Sequence, residues 1–189
     1  MEIRLADAAD TASILGIYAQ YIDTPITFEC ALPAERDFAG RIRKISATYP
    51  CLVAEEGGKI IGYAYAGRHM ERQAYQWNAE LSVYVCMERV SKGVGGRLCR
   101  ALIEILKMQG VKNIYGIVTV PNEKSERLHA SLGFKCAGIC RNTGYKCGKW
   151  RDVACFEKRI GQYCDNPAPI LPVGSIPQSD IEAALKAIP

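Results

Sequence analysis

Two side chains in this sequence could move a proton between reacting groups. Glu80 follows Trp77 at the start of an apolar run, where burial would raise the pKa of its carboxyl toward that of a useful base. His129 shares one face of a predicted helix with Asn122 and Ser125, at spacings of i, i+3 and i+7. The pattern is compatible with acid–base chemistry beside a polar binding face. A strand-end charge, a helix cap at Asn122 and a structural histidine are the alternatives.

A glycine-rich turn, residues 88–98, could bind an anion. Alternating apolar residues precede the turn and a helical apolar repeat follows it, so the glycines fall at a helix N-terminus. Backbone N–H groups near Gly93, Gly95 and Gly96 can approach a phosphate, which the helix dipole also attracts. The turn lacks the Gly-Lys-Ser/Thr ending of an NTPase phosphate loop and the full glycine spacing of a dinucleotide fold. We therefore expect another phosphate-bearing cofactor, with a plain strand-to-helix turn as the alternative.

Composition restricts the classes of function. The chain has 189 residues, 49% hydrophobic and 23% charged, which is typical of a globular domain. Its formal charge of +4 is too small to indicate a nucleic-acid partner, and the basic cluster around the turn lacks interleaved aromatic residues. No apolar run reaches transmembrane length and no signal peptide is visible, so we expect a cytoplasmic protein without a membrane partner. Nine scattered cysteines never form Cys-x-x-Cys, so we expect no metal site.

The predicted elements describe a mixed α/β (α+β) domain over residues 1–160. Strands are predicted at 3–5, 51–55, 59–66, 81–85, 114–119, 134–139 and 153–158. Helices are predicted after an Asp10 cap, from Pro33, from about 98 to Gly110 and at 123–132. Two glycines between the second and third strands predict a hairpin. Residues 161–189 read as a proline-rich C-terminal tail ending in a short helix at 180–187.

Four ordered motifs resemble those of a known enzyme family. The turn at 88–98 is similar to the acetyl-CoA signature of the GNAT N-acetyltransferases, with Val90 where that family has Gln or Arg. Residues 74–80 (Ala-Tyr-Gln-Trp-Asn-Ala-Glu) with 83–85, residues 121–134 and residues 144–153 resemble phosphinothricin acetyltransferases and the related methionine sulfone and sulfoximine acetyltransferases. The resemblance covers about residues 1 to 160. It implies the GNAT fold, a mixed central sheet flanked by helices.

The resemblance implies acetyl transfer from acetyl-CoA to the α-amine of a small amino-acid-like substrate. Glu80 would be the catalytic base and His129 the second acid/base group. Residues implied to bind acetyl-CoA are Val83, Tyr84, Val85, Ser91, Lys92, Gly93, Val94, Gly95, Gly96, Asn122 and Ser125. Val90 would weaken one contact to the pyrophosphate without abolishing the site, because backbone N–H groups supply most of the contacts, and Arg89 could compensate.

On the acceptor side, Phe28, Arg68, Arg72 and Tyr75 would form the substrate-binding pocket, with the arginines facing a carboxylate. A solvated loop is the alternative for these arginines. A homodimer is also expected. Alternative functions are acetylation of a protein N-terminus, a polyamine or a drug, and a non-catalytic acyl-CoA-binding regulatory module.

Overall fold

A computed structural model of the chain describes residues 1–188. Its centre is a sheet of seven strands: β1 (Glu2–Leu5), β2 (Cys51–Glu56), β3 (Lys59–Arg68), β4 (Asn78–Val85), β5 (Asn113–Val120), β6 (Lys135–Lys146) and β7 (Lys149–Arg159). The strands lie in the order β1-β2-β3-β4-β5-β7-β6. Each neighbouring pair is antiparallel except β4 and β5, which are parallel.

Five α-helices cover the two faces of the sheet: α1 (Thr11–Ala19), α2 (Glu35–Ser46), α3 (Val94–Met108), α4 (Glu123–Ser131) and α5 (Gln178–Lys186). The apolar residues of α1 and α2 pack on one face, which we call the α1 face, together with Tyr63 and Tyr84. The apolar residues of α3 and α5 pack on the other face, the α3 face, in a separate and larger core. No helix within residues 1–188 is long and apolar enough to cross a membrane.

The mixed α/β architecture predicted from the sequence is confirmed, with corrections at β6, at β7 and at the start of α1. β6 and β7 extend through residues 144–153 and so are longer than the strands predicted at 134–139 and 153–158. Asp10 precedes α1 but does not cap it with its side chain. Its carboxylate instead accepts from the Arg4 guanidinium at 2.7 and 2.8 Å, an ion pair that joins the start of α1 to β1.

The parallel strands β4 and β5 in the middle of the sheet are paired only at their first residues. β4 and β5 are registered only from Asn78 opposite Asn113 to Glu80 opposite Tyr115. Beyond Glu80, β4 continues along β3 and β5 continues along β7, each with its outer partner. The two strands therefore diverge, and a wedge-shaped opening, which we call the split, forms between residues 81–85 and 116–120.

The C-terminal segment is bound to the closed end of the split, where β4 and β5 are still paired. The indole Nε1 of Trp77, just before β4, donates to the Ala168 carbonyl at 2.8 Å. Gln109, at the end of α3, has no exposed surface, and its Nε2 donates to the carbonyls of Thr48 at 2.7 Å and Leu171 at 2.6 Å. Ile181 of α5 is only 2% exposed in the larger core. The tail is thus packed on the sheet domain.

We expect Gln109→Met to destabilise the protein, because the apolar side chain fills the same space but removes the two hydrogen bonds that the Gln109 amide donates. The free energy of unfolding should fall by about 1–3 kcal/mol, since each such hydrogen bond contributes about 0.5–1.5 kcal/mol. Urea unfolding measures this loss, and the exposed Gln73→Met serves as the matched control. Equal stability of the two variants would contradict the role given to the Gln109 amide.

Candidate active site

The split forms a cleft that runs through the sheet. It is lined by residues from β4, from β5, from α4 and from the loop after α1: Ile26, Leu81, Ser82, Val83, Tyr84, Ile117, Val118, Thr119, Asn122, Ser125 and His129. Side chains alternate along a strand, so Ser82 and Tyr84 belong to the α1 face, whereas Leu81 and Val83 belong to the α3 face. A ligand in the cleft can therefore contact both sides of the sheet.

One edge of β4 carries free backbone groups inside this cleft. The Cys86 N–H donates to the Ile61 carbonyl at 2.9 Å, and hydrogen-bonded pairs alternate along an antiparallel ladder. Glu80, Ser82 and Tyr84 accordingly direct their backbone groups toward β3, and the intervening residues direct theirs toward the split. The Val85 carbonyl there accepts from the Tyr21 hydroxyl. The N–H and C=O of Val83 are left facing the opening, as an edge strand presents them to a ligand.

The glycine-rich turn lies at the open end of the split. α3 begins immediately after Gly93, whose φ of 85° is left-handed. Gly93 has no side chain, so it cannot cap the helix. The first-turn N–H groups of α3 therefore point outward, in the arrangement that binds anions. A Cβ at Gly95 would lie 3.6 to 3.8 Å from Leu128, Val85 and Val83, so the turn packs directly on β4 and α4.

Several basic side chains surround the turn. Arg89 is ion-paired with Glu56 at 2.6 Å, and its expected compensation for Val90 stays a prediction. Val90 itself packs against the larger core. The Nε of Arg97 is buried without a partner among residues 1–188, and the Arg100 guanidinium lies beside Gly96. Cationic side chains from the helix thus stand next to its N-terminus.

Glu80 lies at the last paired position before the strands diverge. Its side chain is 37% exposed, and its Oε2 is 3.7 Å from Nδ1 of His69. Burial raises the pKa of Glu80 above its ordinary value, and the neighbouring His69 opposes that rise. The carboxyl is therefore poised to take up a proton at a higher pH than an exposed glutamate would.

His69 is a site residue that sequence reasoning missed. It follows the end of β3, and its ring stacks on Tyr115 with centroids 4.0 Å apart and an interplanar angle of 8°. Two strand pairings create the contact, since Gly67 of β3 and Tyr115 of β5 both lie opposite Glu80. No spacing along the chain signals it; only the register of three strands does.

His129 lies beside Asn122 and Ser125 in the lining of the cleft, as their spacing predicts, but its imidazole is buried. Its side chain is 4% exposed and packs on Phe134 and Phe156 on the α3 face. Helix α4 is short and its polar face lies over the sheet, so the imidazole is covered on both sides. Nδ1 contacts the Ser125 carbonyl at 2.8 Å, and Nε2 is buried without a partner among residues 1–188.

These contacts fix the state of the imidazole. A carbonyl can only accept, so Nδ1 carries the proton and Nε2 presents a lone pair. Burial lowers the pKa of His129, which keeps the ring neutral. Asn122 supports the same helix end, because its Oδ1 accepts from the Ser125 N–H at 3.2 Å. The α4 wall of the cleft therefore offers an acceptor, not a cation.

The four residues expected to bind the acceptor are not all on one side. Arg68 belongs to the α3 face, where its guanidinium lies near Tyr49 and donates to the Glu71 carbonyl at 2.7 Å, away from the face that carries Glu80. Arg72 is exposed and Tyr75 is 39% exposed. Arg72 precedes a single helical turn just before β4, and Tyr75 is the last residue of that turn. Phe28 is 40% exposed at the loop that also brings Ile26 to the cleft.

The cysteines take no part in this arrangement. All nine are free, and burial raises the pKa of the Cys99 thiol to about 12. Within residues 1–188, no three His, Cys, Asp or Glu side chains are grouped so that they could hold a metal ion.

We expect Gly116→Ala to disturb the α4 wall, because a Cβ at this position would lie 2.2 Å from Nε2 of His129. The imidazole must move, and overpacking of this kind costs about 1–3 kcal/mol of stability. Thermal unfolding measures the change. The control is Gly138→Ala on β6, where a Cβ meets nothing within 4 Å. A Gly116 variant as stable as this control would show that the imidazole is not fixed over the strand.

Comparison with known proteins identifies the family. The family model described as an acetyltransferase (GNAT) domain matches residues 3–155. The phosphinothricin N-acetyltransferase of Streptomyces viridochromogenes is 36% identical over 177 residues, which are 93% of this chain and 96% of that protein. The L-methionine sulfoximine/L-methionine sulfone acetyltransferase of Salmonella typhimurium is 30% identical over 165 residues, 86% of this chain and 96% of that protein.

A solved structure agrees with these relatives. The phosphinothricin acetyltransferase of Sinorhizobium meliloti in complex with AcCoA superimposes with a TM-score of 0.84 at 32% identity, covering 90% of this chain and 97% of that one. The resemblance noted in the sequence motifs is thereby confirmed. With a matching family model over most of its length and relatives above 30% identity, the chain belongs to the GNAT family of acetyltransferases.

Proposed function

We propose that this chain transfers the acetyl group of acetyl-CoA to the α-amine of a small amino-acid-like substrate. The observation that carries the proposal is the continuity of the split with the glycine-rich turn. A free strand edge at Val83 leads directly to a helix N-terminus rich in unpaired N–H groups. A long cofactor with amides at one end and phosphates at the other fits such a surface. The names of the relatives support the class of acceptor.

The cleft residues suit acetyl-CoA in chemical type. The turn residues Ser91, Lys92, Gly93, Val94, Gly95 and Gly96 would hold the pyrophosphate through backbone N–H groups. The Val83 carbonyl and the Val85 N–H, which face the split, would pair with the amides of the pantetheine arm as an added strand does, and the Tyr84 side chain would line the same stretch of the cleft. Asn122 and Ser125 would line the opposite wall. The N–H of Val83 would also donate to the carbonyl oxygen on which negative charge develops during acyl transfer.

Glu80 would remove the proton from the incoming ammonium group. It lies on the α1 face at the closed end of the split, where the acceptor would meet the acetyl group. Its raised pKa makes it a better proton acceptor than an ordinary glutamate, and His69 at 3.7 Å limits that rise so that the carboxylate remains available. The pair would thus supply a base at the point where the nucleophile must be neutral.

His129 would serve the cofactor side of the reaction. Because Nδ1–H is engaged by the Ser125 carbonyl, the neutral ring cannot give up a proton from Nε2. The lone pair on Nε2 would instead accept a hydrogen bond from a donor in the cleft, such as an amide N–H. The second acid/base role expected for His129 therefore becomes, in this proposal, an orienting one.

The acceptor pocket would lie on the α1 face beneath the loop that holds Ile26 and Phe28. Arg72 and Tyr75, on the turn that leads into β4, would bind the carboxylate and wall the pocket. Arg68 faces the other side of the sheet and is left out of this pocket. A second copy of the chain would pair along β6, an exposed edge strand with exposed apolar side chains at Ile139 and Tyr145.

A panel of amines with acetyl-CoA, with release of free CoA as the readout, tests the proposal. Phosphinothricin, methionine sulfone and methionine sulfoximine should be acetylated with higher kcat/KM than polyamines or N-terminal peptides. Turnover restricted to peptides or polyamines would reject the amino-acid acceptor. Binding of acetyl-CoA with no turnover on any amine would favour the regulatory module.

We expect Glu80→Gln to retain acetyl-CoA affinity and to lower kcat by about 10²–10⁴, the usual contribution of a general base. The base form of Glu80 is lost as pH falls through its raised pKa, so wild-type kcat/KM should decline there, and the variant should lack this decline. Steady-state rates across pH measure both effects. Wild-type turnover by the variant at neutral pH would exclude Glu80 as the base.

We expect Arg72→Ala to raise KM more for a carboxylate-bearing amine than for its decarboxylated analogue, because only the former loses a charge-assisted contact. Arg68→Ala is the matched control, since its guanidinium lies on the other face. Comparison of the two KM ratios measures the effect. Equal changes for both amines would refute the carboxylate role of Arg72.

A further inference from the structure

Lys146 is a buried cation that the catalytic proposal does not use. Its side chain is 7% exposed, near the end of β6 in the hairpin motif at residues 144–153. Within residues 1–188 no carboxylate lies within ion-pair distance of it. Its Nζ instead donates to the carbonyl of Thr27 at 2.7 Å and to that of Glu29. A buried ammonium is costly unless its hydrogen bonds are made, so these carbonyls are its stabilising partners.

The two carbonyls belong to the residues on either side of Phe28. The ammonium is therefore hydrogen-bonded to the loop backbone both before and after this side chain. The Phe28 ring lies against Gly144, where a Cβ would stand 2.3 Å from the ring atom Cε2. Any side chain at Gly144 would displace the ring. The Gly-x-Lys pair of the hairpin thus fits the loop in two ways, through its missing side chain and through its charge.

The loop that Lys146 contacts, residues 24–32, extends to the cleft. Ile26 lines the opening together with Ser82 and Tyr84, on the face that carries Glu80. The loop also bonds to α1, since the Thr27 and Tyr18 hydroxyls are 2.6 Å apart. It has no helix or strand of its own, so its shape depends on such contacts. A change at Lys146 would act on the acceptor side of the cleft.

We propose that Lys146 is a positioning residue that fixes the loop at residues 24–32 as a wall of the acceptor pocket. Its ammonium holds the backbone on both sides of Phe28, and Gly144 receives the ring. This inference rests on the proposed function insofar as it concerns the acceptor. The cofactor side should be unaffected, because both hydrogen bonds of the Lys146 ammonium go to the loop at residues 24–32 and neither goes to the glycine-rich turn or α4.

Lys146→Met removes the charge and keeps the length of the side chain. The acceptor KM should rise roughly tenfold or more, as expected when a positioning contact is lost, while the acetyl-CoA Kd should be unchanged. The matched control is Lys149→Met, an exposed lysine directly opposite in the hairpin register. An acceptor KM equal to that of the control would overturn the proposal.

Gly144→Ala provides a second route to the same effect, in case the loss of the lysine prevents folding. It should raise the acceptor KM by displacing Phe28. In a Phe28→Ala background Gly144→Ala should add little, because the ring that it would displace is absent and residues acting through one group are not additive. A full Gly144→Ala effect in that background would overturn the role of Gly144 as the position that receives the ring.

Hydrogen exchange without any substrate separates failure of this inference from failure of the proposed function. Amides in residues 24–32 should exchange faster in Lys146→Met than in Lys149→Met. Unchanged exchange would overturn the proposal that Lys146 fixes the loop, whatever the enzyme acetylates. If the loop exchanges faster but the wild-type protein acetylates no amine, the role of Lys146 is supported and the proposed acceptor is rejected.

Discussion

The loss of pairing between β4 and β5 beyond Glu80 is the constraint on which the rest of the structure depends. Buried backbone N–H and C=O groups require partners, and a sheet that opens in its middle leaves some of them without a strand. The protein satisfies one, the Val85 carbonyl, with the Tyr21 hydroxyl. The groups of Val83 remain open to a ligand. The turn at Gly93 then begins α3 where that ligand would leave the sheet.

The split also separates the two histidines and their tasks. His69 and Glu80 lie on the α1 face, where the carboxyl is half-buried and its pKa is raised. His129 lies on the α3 face, buried between aromatic rings and neutral. Proton removal from the acceptor and orientation of the cofactor would thus occur on opposite sides of one strand. At the closed end of the split, the paired strands and the C-terminal segment bound to them would fix the positions of these two groups relative to each other.

The sequence predicted the features that depend on local pattern. Period-2 alternation located β4, the glycines located the start of α3, and the i, i+3, i+7 spacing placed Asn122, Ser125 and His129 together. The face that a long side chain occupies depends on register across strands, which spacing along the chain does not carry. That is why Arg68 was expected beside the acceptor and His69 was not expected beside Glu80. The burial of His129 depends on Phe156 of β7, an element distant in sequence.

Residue-resolved amide exchange with and without CoA tests the central claim most directly. If the split is the cofactor site, the Val83 amide and the first-turn amides of α3 should become protected on saturation with CoA. Amides of the exposed β6 strand serve as the internal reference and should not change. Saturable CoA binding that leaves the Val83 amide as exchangeable as before would contradict the account, because the free edge of β4 would then not be where the cofactor lies.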